Sequence, residues 1–316
     1  MSIYFAPLEG ITDVVFRRAH RECFAGVDKY FIPFITPNQH LELPPRDRRA
    51  VDPAANAGVP AVPQILAKDA RLFLWSAEYL AGLGYSEVNL NLGCPSGTVA
   101  AKGKGSGMLV DPNALRCFLD EIFAKAPVAI SVKTRIGYTD PEEWPMLLSI
   151  LSEYPLSELI IHPRVRDEFY KGMPHMDAFE YAVQHTQLPL VYNGDLFDST
   201  DCLDAAQRFP GAGMMLGRGI IANPALAEEF LGTDRLTHAR LYEFHERLYA
   251  GYAQTMPKNV LLVRMCAIME YIGCCFEDAS KAMKAVRKAK DNDAYHTAVD
   301  KLFENHALLP QPGYRK

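Results

Sequence analysis

The sequence predicts an α/β fold, a (β/α)8 TIM barrel followed by a small C-terminal helical domain. Strand-like apolar segments alternate with helical segments eight times in the first part of the chain. Polar residues stand where these strands end, and after about residue 233 helical segments succeed one another without strands. An open doubly wound sheet is the alternative, but the usual GxGxxG after its first strand is absent. We therefore expect a barrel domain over residues 1–234 and a helical domain over 235–316.

The composition limits the class of protein. The chain has 316 residues, of which 49% are hydrophobic, which suits one large domain or a barrel with an appendage. A formal net charge of -5 argues against a surface that is basic all over, although it permits a local basic patch. The seven cysteines show no CxxC spacing, so we expect reduced thiols in a cytoplasmic protein. No apolar run has the length of a membrane span, so no membrane association is expected.

Local signals predict the elements in order. The strands are expected at residues 3–6, 30–35, 61–66, 86–91, 128–133, 158–162, 188–192 and 213–216. Barrel helices are expected from about residue 14, at 69–83, 112–124, 141–153, 176–185 and 199–208, and after residue 224. Asp111 should cap a helix that has Pro112 at its first position, and Thr12 or Asp13 should cap the first helix. In the last domain, helices are expected at 237–254, 258–272, 278–290 and 291–305.

Cys94 stands just past the carboxyl end of the fourth predicted strand, in the segment 89–97 (NLNLGCPSG). The Gly-Cys-Pro sequence ends the strand, and the following run from Lys102 to Gly107 is too rich in glycine to predict a helix. An α/β barrel carries its chemistry on the loops at this end of its strands. A small cysteine that only packs is the alternative interpretation.

Other polar side chains share this position at or just beyond a strand's carboxyl end. They are Gln64, Asn91, Lys133, His162, Arg164, Asn193 and Arg218. Any one of them could be a satisfied structural group. Seven that converge on one rim of a barrel indicate a functional site.

Six motifs carry a family resemblance. They are 6–13 (APLEGITD), 89–95 (NLNLGCP), 133–135 (KTR), 162–164 (HPR), 193–195 (NGD) and 216–219 (LGRG). In this order and spacing the chain resembles, over essentially its whole length, the tRNA-dihydrouridine synthases, flavin enzymes that reduce specific uridines in transfer RNA. Two departures bear on the subtype. The family's frequent Pro-Met-Ala-Gly is Pro-Leu-Glu-Gly in this chain, and its usual His-Gly-Arg-Thr is His-Pro-Arg-Val.

The resemblance implies FMN as cofactor and NADPH or NADH as reductant. Lys133 would lie near the N1/O2 side of the flavin, where an ammonium stabilises the negative charge of the reduced ring. Gln64 would contact the pyrimidine edge, and a barrel's common phosphate site would receive the phosphate. The implied cofactor-binding residues are Ala6, Pro7, Gln64, Lys133, His162, Asn193, Gly194, Asp195, Gly217 and Arg218.

The resemblance also implies a catalytic role for Cys94. When hydride reaches carbon 6 of the uracil, carbon 5 must take a proton, and a thiol on the face opposite the flavin can act as the general acid. Asn91, three residues earlier, would orient the uracil.

The implied partner is a folded tRNA whose target base is extruded from its stack. The expected substrate-binding residues are Asn91, Lys102, Lys104, Arg135, Arg164, Lys281, Lys284, Arg287 and Lys288. The last four have helical spacing and would form one basic face, for which an ordinary solvated surface is the alternative. We expect a monomer without a metal ion.

Two other functions stay open. One is an FMN barrel oxidoreductase of a small molecule, similar to dihydroorotate dehydrogenase; the helical domain and the basic face argue against it. The other is a non-catalytic RNA-binding barrel, against which the presence of Cys94 and Lys133 argues. The sequence does not indicate which uridine is reduced, which nicotinamide nucleotide is preferred, or the oligomeric state.

Overall fold

A computed structural model describes residues 1–315 and confirms the predicted barrel. Eight parallel strands close into one sheet in the order of the sequence. The strands are β1 (Ile3–Phe5), β2 (Lys29–Ile35), β3 (Ala61–Ile65), β4 (Glu87–Leu92), β5 (Ala129–Gly137), β6 (Leu159–Val165), β7 (Leu190–Tyr192) and β8 (Gly213–Leu216).

Helices follow the strands in the alternation that the sequence predicts. Those up to the end of the barrel are α1 (Val14–Cys23), α2 (Pro45–Ala50), α3 (Ala70–Gly82), α4 (Gly97–Ala100), α5 (Pro112–Lys125), α6 (Trp144–Leu151), α7 (Met176–His185) and α8 (Ser199–Arg208). The helices that follow are α9 (Arg218–Ala222), α10 (Leu226–Leu231), α11 (His238–Ala253), α12 (Lys258–Ile272), α13 (Ser280–Lys288) and α14 (Asn292–Asn305). None of the helices within residues 1–315 is long and apolar enough to cross a membrane.

The predicted caps explain where several helices begin. The Asp111 carboxylate accepts hydrogen bonds from the backbone N–H groups of Asn113 and Ala114 at the start of α5. Asp13, and not Thr12, caps α1, where its side chain accepts from the N–H of Phe16. These aspartates satisfy donors that a helix cannot satisfy internally, so local sequence determines these helix starts.

The described chain separates into two compact units. The first contains residues 1–7, 29–195 and 205–215, and therefore nearly the whole barrel sheet. The second contains residues 8–28, 196–204 and the chain from residue 216 onward. In the second unit, Phe16 of α1 makes an edge contact with Phe244 of α11, with ring centroids 5.4 Å apart. The domain boundary expected after residue 234 stays a prediction.

The segment after Cys94 is more ordered than the sequence suggests. It contains the short helix α4 and a 3-10 turn at Gly105–Val110, where we expected an irregular loop. Its glycines allow this compact path, because a Cβ on Gly107 would lie 2.4 Å from the carbonyl oxygen of Ala100. Gly105 has a φ of 57°, and a Cβ there would lie 2.9 Å from the Cβ of Cys94. The glycines therefore pack the loop, whereas sequence reasoning treats them only as helix breakers.

An ionic cluster lies at the amino-terminal end of the barrel strands. The Lys29 ammonium lies 2.7 Å from a carboxylate oxygen of Glu87 and 3.0 Å from one of Glu158. Tyr4 donates its hydroxyl to Glu158, and its ring lies 5.2 Å from the ammonium. Burial and the hydrogen bond to Glu158 raise the pKa of Tyr4 to about 12. One ammonium thus links strands β2, β4 and the start of β6.

We expect Lys29→Met to lower the free energy of unfolding by about 2–4 kcal/mol, since it leaves two carboxylates of the cluster without their cation. Urea unfolding of the purified variant measures this loss. Lys29→Arg keeps the charge and is the matched control, expected to lose less than about 1 kcal/mol. Unchanged stability in Lys29→Met would show that the cluster contributes nothing net.

Candidate active site

The register of the parallel strands brings the predicted polar residues together. Asn89 pairs with Gln64 on one side and with Ser131 on the other, and Asn91 pairs with Lys133. Side chains alternate along a strand, so residues two apart point to the same side of the sheet. These polar side chains therefore occupy successive layers on one side of the sheet, toward the carboxyl ends of the strands.

Side-chain amides form a buried chain of hydrogen bonds between β3, β4 and β5. The amide nitrogen of Gln64 donates to Asn89 at 2.8 Å, and the amide nitrogen of Asn91 donates to the Gln64 oxygen at 2.7 Å. Asn89 in turn donates to the hydroxyl of Ser131 at 2.9 Å. Each amide orients the next, so the orientation of Gln64 is determined before any ligand arrives. Sequence reasoning missed Asn89 and Ser131, although period-two alternation from Asn91 and Lys133 could have indicated them.

Asn91 positions the segment that carries Cys94. Its side-chain oxygen accepts from the backbone N–H groups of Gly93, at 3.1 Å, and Cys94, at 2.9 Å. Ser106 donates its hydroxyl to the Cys94 carbonyl at 2.7 Å. The Cys94 side chain is half-buried and forms no disulfide bond, and its backbone is held on both sides. The observed role of Asn91 is to orient this loop, and its contact with uracil stays a prediction.

Lys133 has a pKa well below that of an ordinary lysine. Burial, the largest cause, and the Arg135 guanidinium lower its pKa from 10.5 to about 7, and Cys94 opposes the shift. The lysine thus changes protonation state near neutral pH. A cation in this environment is stabilised by any negative charge that arrives beside it, which fits the expected position at an anionic cofactor edge.

Arg164, Asp195 and His162 form one buried arrangement. Two nitrogens of the Arg164 guanidinium donate to the two oxygens of Asp195, at 2.9 and 2.6 Å. The same guanidinium lies 3.0 Å from Nε2 of His162. A guanidinium can only donate, so Nε2 must be the acceptor and the proton of a neutral imidazole must be on Nδ1. The Arg–Asp pair therefore determines the tautomer of the histidine.

Arg135 is equally enclosed, and it holds backbone rather than facing solvent. Its Nε donates to the Gly93 carbonyl at 3.0 Å, and its terminal nitrogens donate to Val165 at 2.9 Å and Phe169 at 2.7 Å. The residues Arg135 and Arg164 are 1% and 0% exposed. Both were expected to contact substrate, and the structure instead occupies their guanidinium groups with protein atoms. Direct contact with substrate stays a prediction for each.

The remaining predicted cofactor residues of the first unit line the same barrel. Asn193 donates its amide to the Met215 carbonyl at 2.7 Å and so links β7 to β8. A Cβ on Gly194 would lie 2.0 Å from the Tyr192 hydroxyl, so a larger residue at this position would displace the buried Tyr192 ring. Ala6 is buried and Pro7 half-buried immediately after β1. In the second unit, Gly217 precedes α9, and the Arg218 guanidinium lies 4.9 Å from the ring centroid of Phe197.

The predicted substrate lysines lie at the surface. Lys102 is exposed, and burial together with Lys102 and Lys68 lowers the pKa of Lys104. Lys68 was missed, although it stands three residues past β3. In the second unit, α13 exposes the four predicted cations and buries Met283 and Val286. Of the four, Arg287 also pairs with Glu270 at 3.0 Å.

Comparison with known proteins identifies the family. A family model described as "Dihydrouridine synthase (Dus)" matches residues 4–305. The chain belongs to the dihydrouridine synthase family. This confirms the family resemblance that the six motifs indicate.

Two relatives show the degree of similarity. A Staphylococcus epidermidis protein named "Probable tRNA-dihydrouridine synthase" is 32% identical over 270 residues, which is 80% of this chain and 81% of the relative. A Bacillus subtilis protein named "Probable tRNA-dihydrouridine synthase 2" is 32% identical over 231 residues, or 71% and 70% of the two chains.

Solved structures support the barrel fold of this chain. The old yellow enzyme homologue of Zymomonas mobilis superposes with a TM-score of 0.54 at 13% identity, over 74% of this chain and 89% of that chain. Morphinone reductase superposes with a TM-score of 0.52 at 12% identity, over 77% and 88%. At these identities the likeness concerns the barrel fold alone.

The pKa of Lys133 generates a pH-dependent prediction. Between about pH 7 and 10.5 the unfolded chain binds one more proton at this lysine than the folded chain, so this group makes stability rise with pH. Lys133→Met removes the effect. The flavin-free variant should therefore be more stable than flavin-free wild type at pH 7, by a margin that shrinks toward pH 10 by up to about 1.4 kcal/mol per pH unit.

Urea unfolding of both flavin-free proteins from pH 7 to 10 measures this margin. Lys125→Met, at an exposed lysine near the end of α5, is the control and should show a margin that does not vary with pH. A constant margin for Lys133→Met as well would contradict the lowered pKa.

Proposed function

We propose that this chain reduces uridines of tRNA to 5,6-dihydrouridine, with FMN as its cofactor and NADPH or NADH as the reductant. The family provides the reaction, and the names of the two relatives indicate tRNA as the substrate. The structural observation that carries the proposal is the juxtaposition of Cys94 and Lys133. The thiol follows β4, and the lysine lies on the adjacent strand β5, electrostatically coupled to it.

The groups at the carboxyl end of the barrel fit a flavin. Gln64 offers an amide that Asn89 and Asn91 have already oriented, and Lys133 offers a cation whose pKa lies near 7. His162, as the tautomer protonated on Nδ1, offers a ring N–H donor. An isoalloxazine ring needs such donors along its pyrimidine edge. Bound FMN would supply the hydride that adds to carbon 6 of the uracil.

The other predicted cofactor residues keep their roles as proposals. Ala6 and Pro7 would contact the ring, and Asn193 and Gly194 the ribityl chain. Asp195 would act through Arg164 and His162, because Arg164 binds both of its carboxylate oxygens. Gly217 and Arg218 of the second unit stay predictions for the phosphate.

Cys94 would complete the reduction as general acid. Its Sγ–H bond breaks and a C–H bond forms at carbon 5, and the resulting thiolate takes a proton from solvent. Asn91 and Ser106 fix the backbone on both sides of the thiol, so its position does not depend on a mobile loop. Lys133 would meanwhile take up a proton as negative charge appears beside it.

We expect Cys94→Ala to slow uridine reduction by about two to four decades, the usual contribution of general acid catalysis. Reduction of the enzyme by NADPH should be nearly unaffected, and Cys94→Ser should recover little because an alcohol is a poor acid. The measurement is a single turnover of pre-reduced enzyme with unmodified tRNA, with dihydrouridine quantified by mass spectrometry. Cys117→Ala, at an exposed cysteine of α5, is the matched control.

Two results would contradict the proposed function. If the wild type releases no FMN when it is denatured, and the flavin-free protein takes up no added FMN, then FMN is not the cofactor. Wild-type turnover in Cys94→Ala would remove the thiol from the mechanism. A fall of both half-reactions together would indicate damage to the cofactor site instead.

We also propose that the basic face of α13 binds tRNA. Its exposed cations would neutralise phosphates and release counterions, which makes binding salt-dependent. Changing Lys281, Lys284 and Lys288 together to Glu should weaken tRNA binding at least tenfold and reduce the slope of log affinity against log salt by about 2 to 3.

Filter binding across salt concentrations measures this slope. The control replaces Arg116, Lys125 and Arg208, on barrel helices, with Glu and makes the same change in net charge. If the two triple variants bind tRNA equally well, the face of α13 is only solvated.

A further inference from the structure

The segment between β6 and α7 exposes large apolar side chains. We call residues 166–173 the β6 loop. Within it Phe169 is 39% exposed, Tyr170 50% and Met173 81%. Single exposed apolar side chains are ordinary, but three within five residues mark a candidate contact surface.

Two buried arginines hold the backbone of the β6 loop from the protein interior. The buried Arg164 donates to the carbonyls of Lys171, at 3.1 Å, and Gly172, at 2.7 Å, while Arg135 donates to the carbonyl of Phe169 at 2.7 Å. Two guanidinium groups withdrawn from water are thus used to hold this backbone. The backbone that carries the apolar side chains is therefore held in one arrangement, which lowers the entropy cost of ordering the loop on a partner.

Phe169 stands in a strained backbone conformation, with a φ of 53° and a ψ of -99°. A bulky residue in such a region costs about 1–3 kcal/mol, and surrounding contacts must impose it. Its ring lies 5.1 Å from the Arg166 guanidinium, which also lies 5.2 Å from the ring of Tyr138. An exposed aromatic side chain thus occupies a backbone conformation that glycine would adopt without strain.

The loop is continuous with the candidate active site. The Tyr170 ring lies 5.5 Å from the Arg135 guanidinium and 5.9 Å from the His162 ring. On the other side, a Cβ on Gly97, three residues past Cys94, would lie 3.7 Å from a terminal nitrogen of Arg166. A base that reaches Cys94 therefore brings its neighbours in the chain to this patch.

The carboxylates of the loop are paired within the protein, which leaves one exposed cation for an anionic partner. Asp167 pairs with Arg166 at 2.7 Å. Glu168 is occupied by His175 at 2.8 Å and by the backbone N–H of Val165 at 2.7 Å. Lys171 remains as an exposed cation among the aromatic side chains. Aromatic rings beside cations are the recognition chemistry of unpaired nucleotides.

We propose that the β6 loop is a stacking platform for unpaired nucleobases of the RNA substrate that flank the reacting uridine. This rests on the proposed function and extends it from the reacting base to its neighbours. Phe169 and Met173 contact base faces, Tyr170 separates them from the reacting base, and Lys171 contacts a phosphate. The target must then lie in a segment whose adjacent bases can leave their stack, such as a loop of the RNA.

Two variants test the platform in the flavin-loaded enzyme with an unmodified tRNA transcript. Phe169→Gly removes the ring and relieves the backbone strain, and Met173→Ser changes a side chain too exposed to contribute much to stability. Each should weaken tRNA binding about 5- to 150-fold, the range for loss of one stacked base, without lowering the melting temperature. Met146→Ser, at a methionine of α6 that is 52% exposed, is the matched control.

Salt dependence separates stacking from phosphate contact. Phe169→Gly and Met173→Ser should keep the wild-type slope of log affinity against log salt, whereas Lys171→Ala should reduce it by about 1. Wild-type affinity in Phe169→Gly and Met173→Ser overturns the platform. A changed oligomeric mass with unchanged RNA affinity also overturns it, because the patch then binds a second copy of the chain.

The same experiment distinguishes this inference from the proposed function. If the wild type forms dihydrouridine and the variants bind tRNA normally, the platform is wrong and the function stands. If the wild type forms none but the variants still lose RNA affinity, the function is wrong and the platform stands. A wild type that neither binds nor modifies tRNA overturns both.

Discussion

The register of the closed parallel sheet is the constraint on which the candidate site depends. Asn91 can orient both Gln64 and the Cys94 segment only because β3, β4 and β5 pair in this alignment. A slip of one residue would exchange the polar series for the apolar residues between them, such as Leu90 and Val132, both fully buried. The hydrophobic faces of the strands therefore fix the geometry of the polar site.

Buried polar groups need partners, and the site meets that need in two ways. The amides of Gln64 and Asn89 satisfy one another in a chain of hydrogen bonds that is rigid before a ligand binds. Lys133 differs, because burial and a neighbouring guanidinium lower its pKa to about 7. A cation whose charged form is penalised until an anion arrives suits a cofactor that gains and loses negative charge.

The two buried arginines bind protein groups, and this affects which cations can be proposed to contact the substrate. Because both arginines lie at the rim of the barrel, the sequence predicted that they bind substrate. In the structure, Arg135 and Arg164 donate to backbone carbonyls of the β6 loop. The proposed contacts with RNA therefore fall on exposed groups, namely Lys102, Lys171 and the cations of α13. A buried guanidinium in this fold acts through the loop that it holds, and a substitution there would affect loop and histidine together.

The sequence by itself determined the barrel, the cap at Asp111, the helices of the last part of the chain and the family, because each depends on local periodicity or a contiguous motif. It left Thr12 and Asp13 as alternatives for the first cap, and the structure selects Asp13. It also indicated the position of Cys94. Only the tertiary structure decided what Arg135, Arg164 and Asn91 bind, which nitrogen of His162 carries the proton, and how far the pKa of Lys133 falls. These properties arise from burial and from partners distant in sequence, which no local pattern encodes.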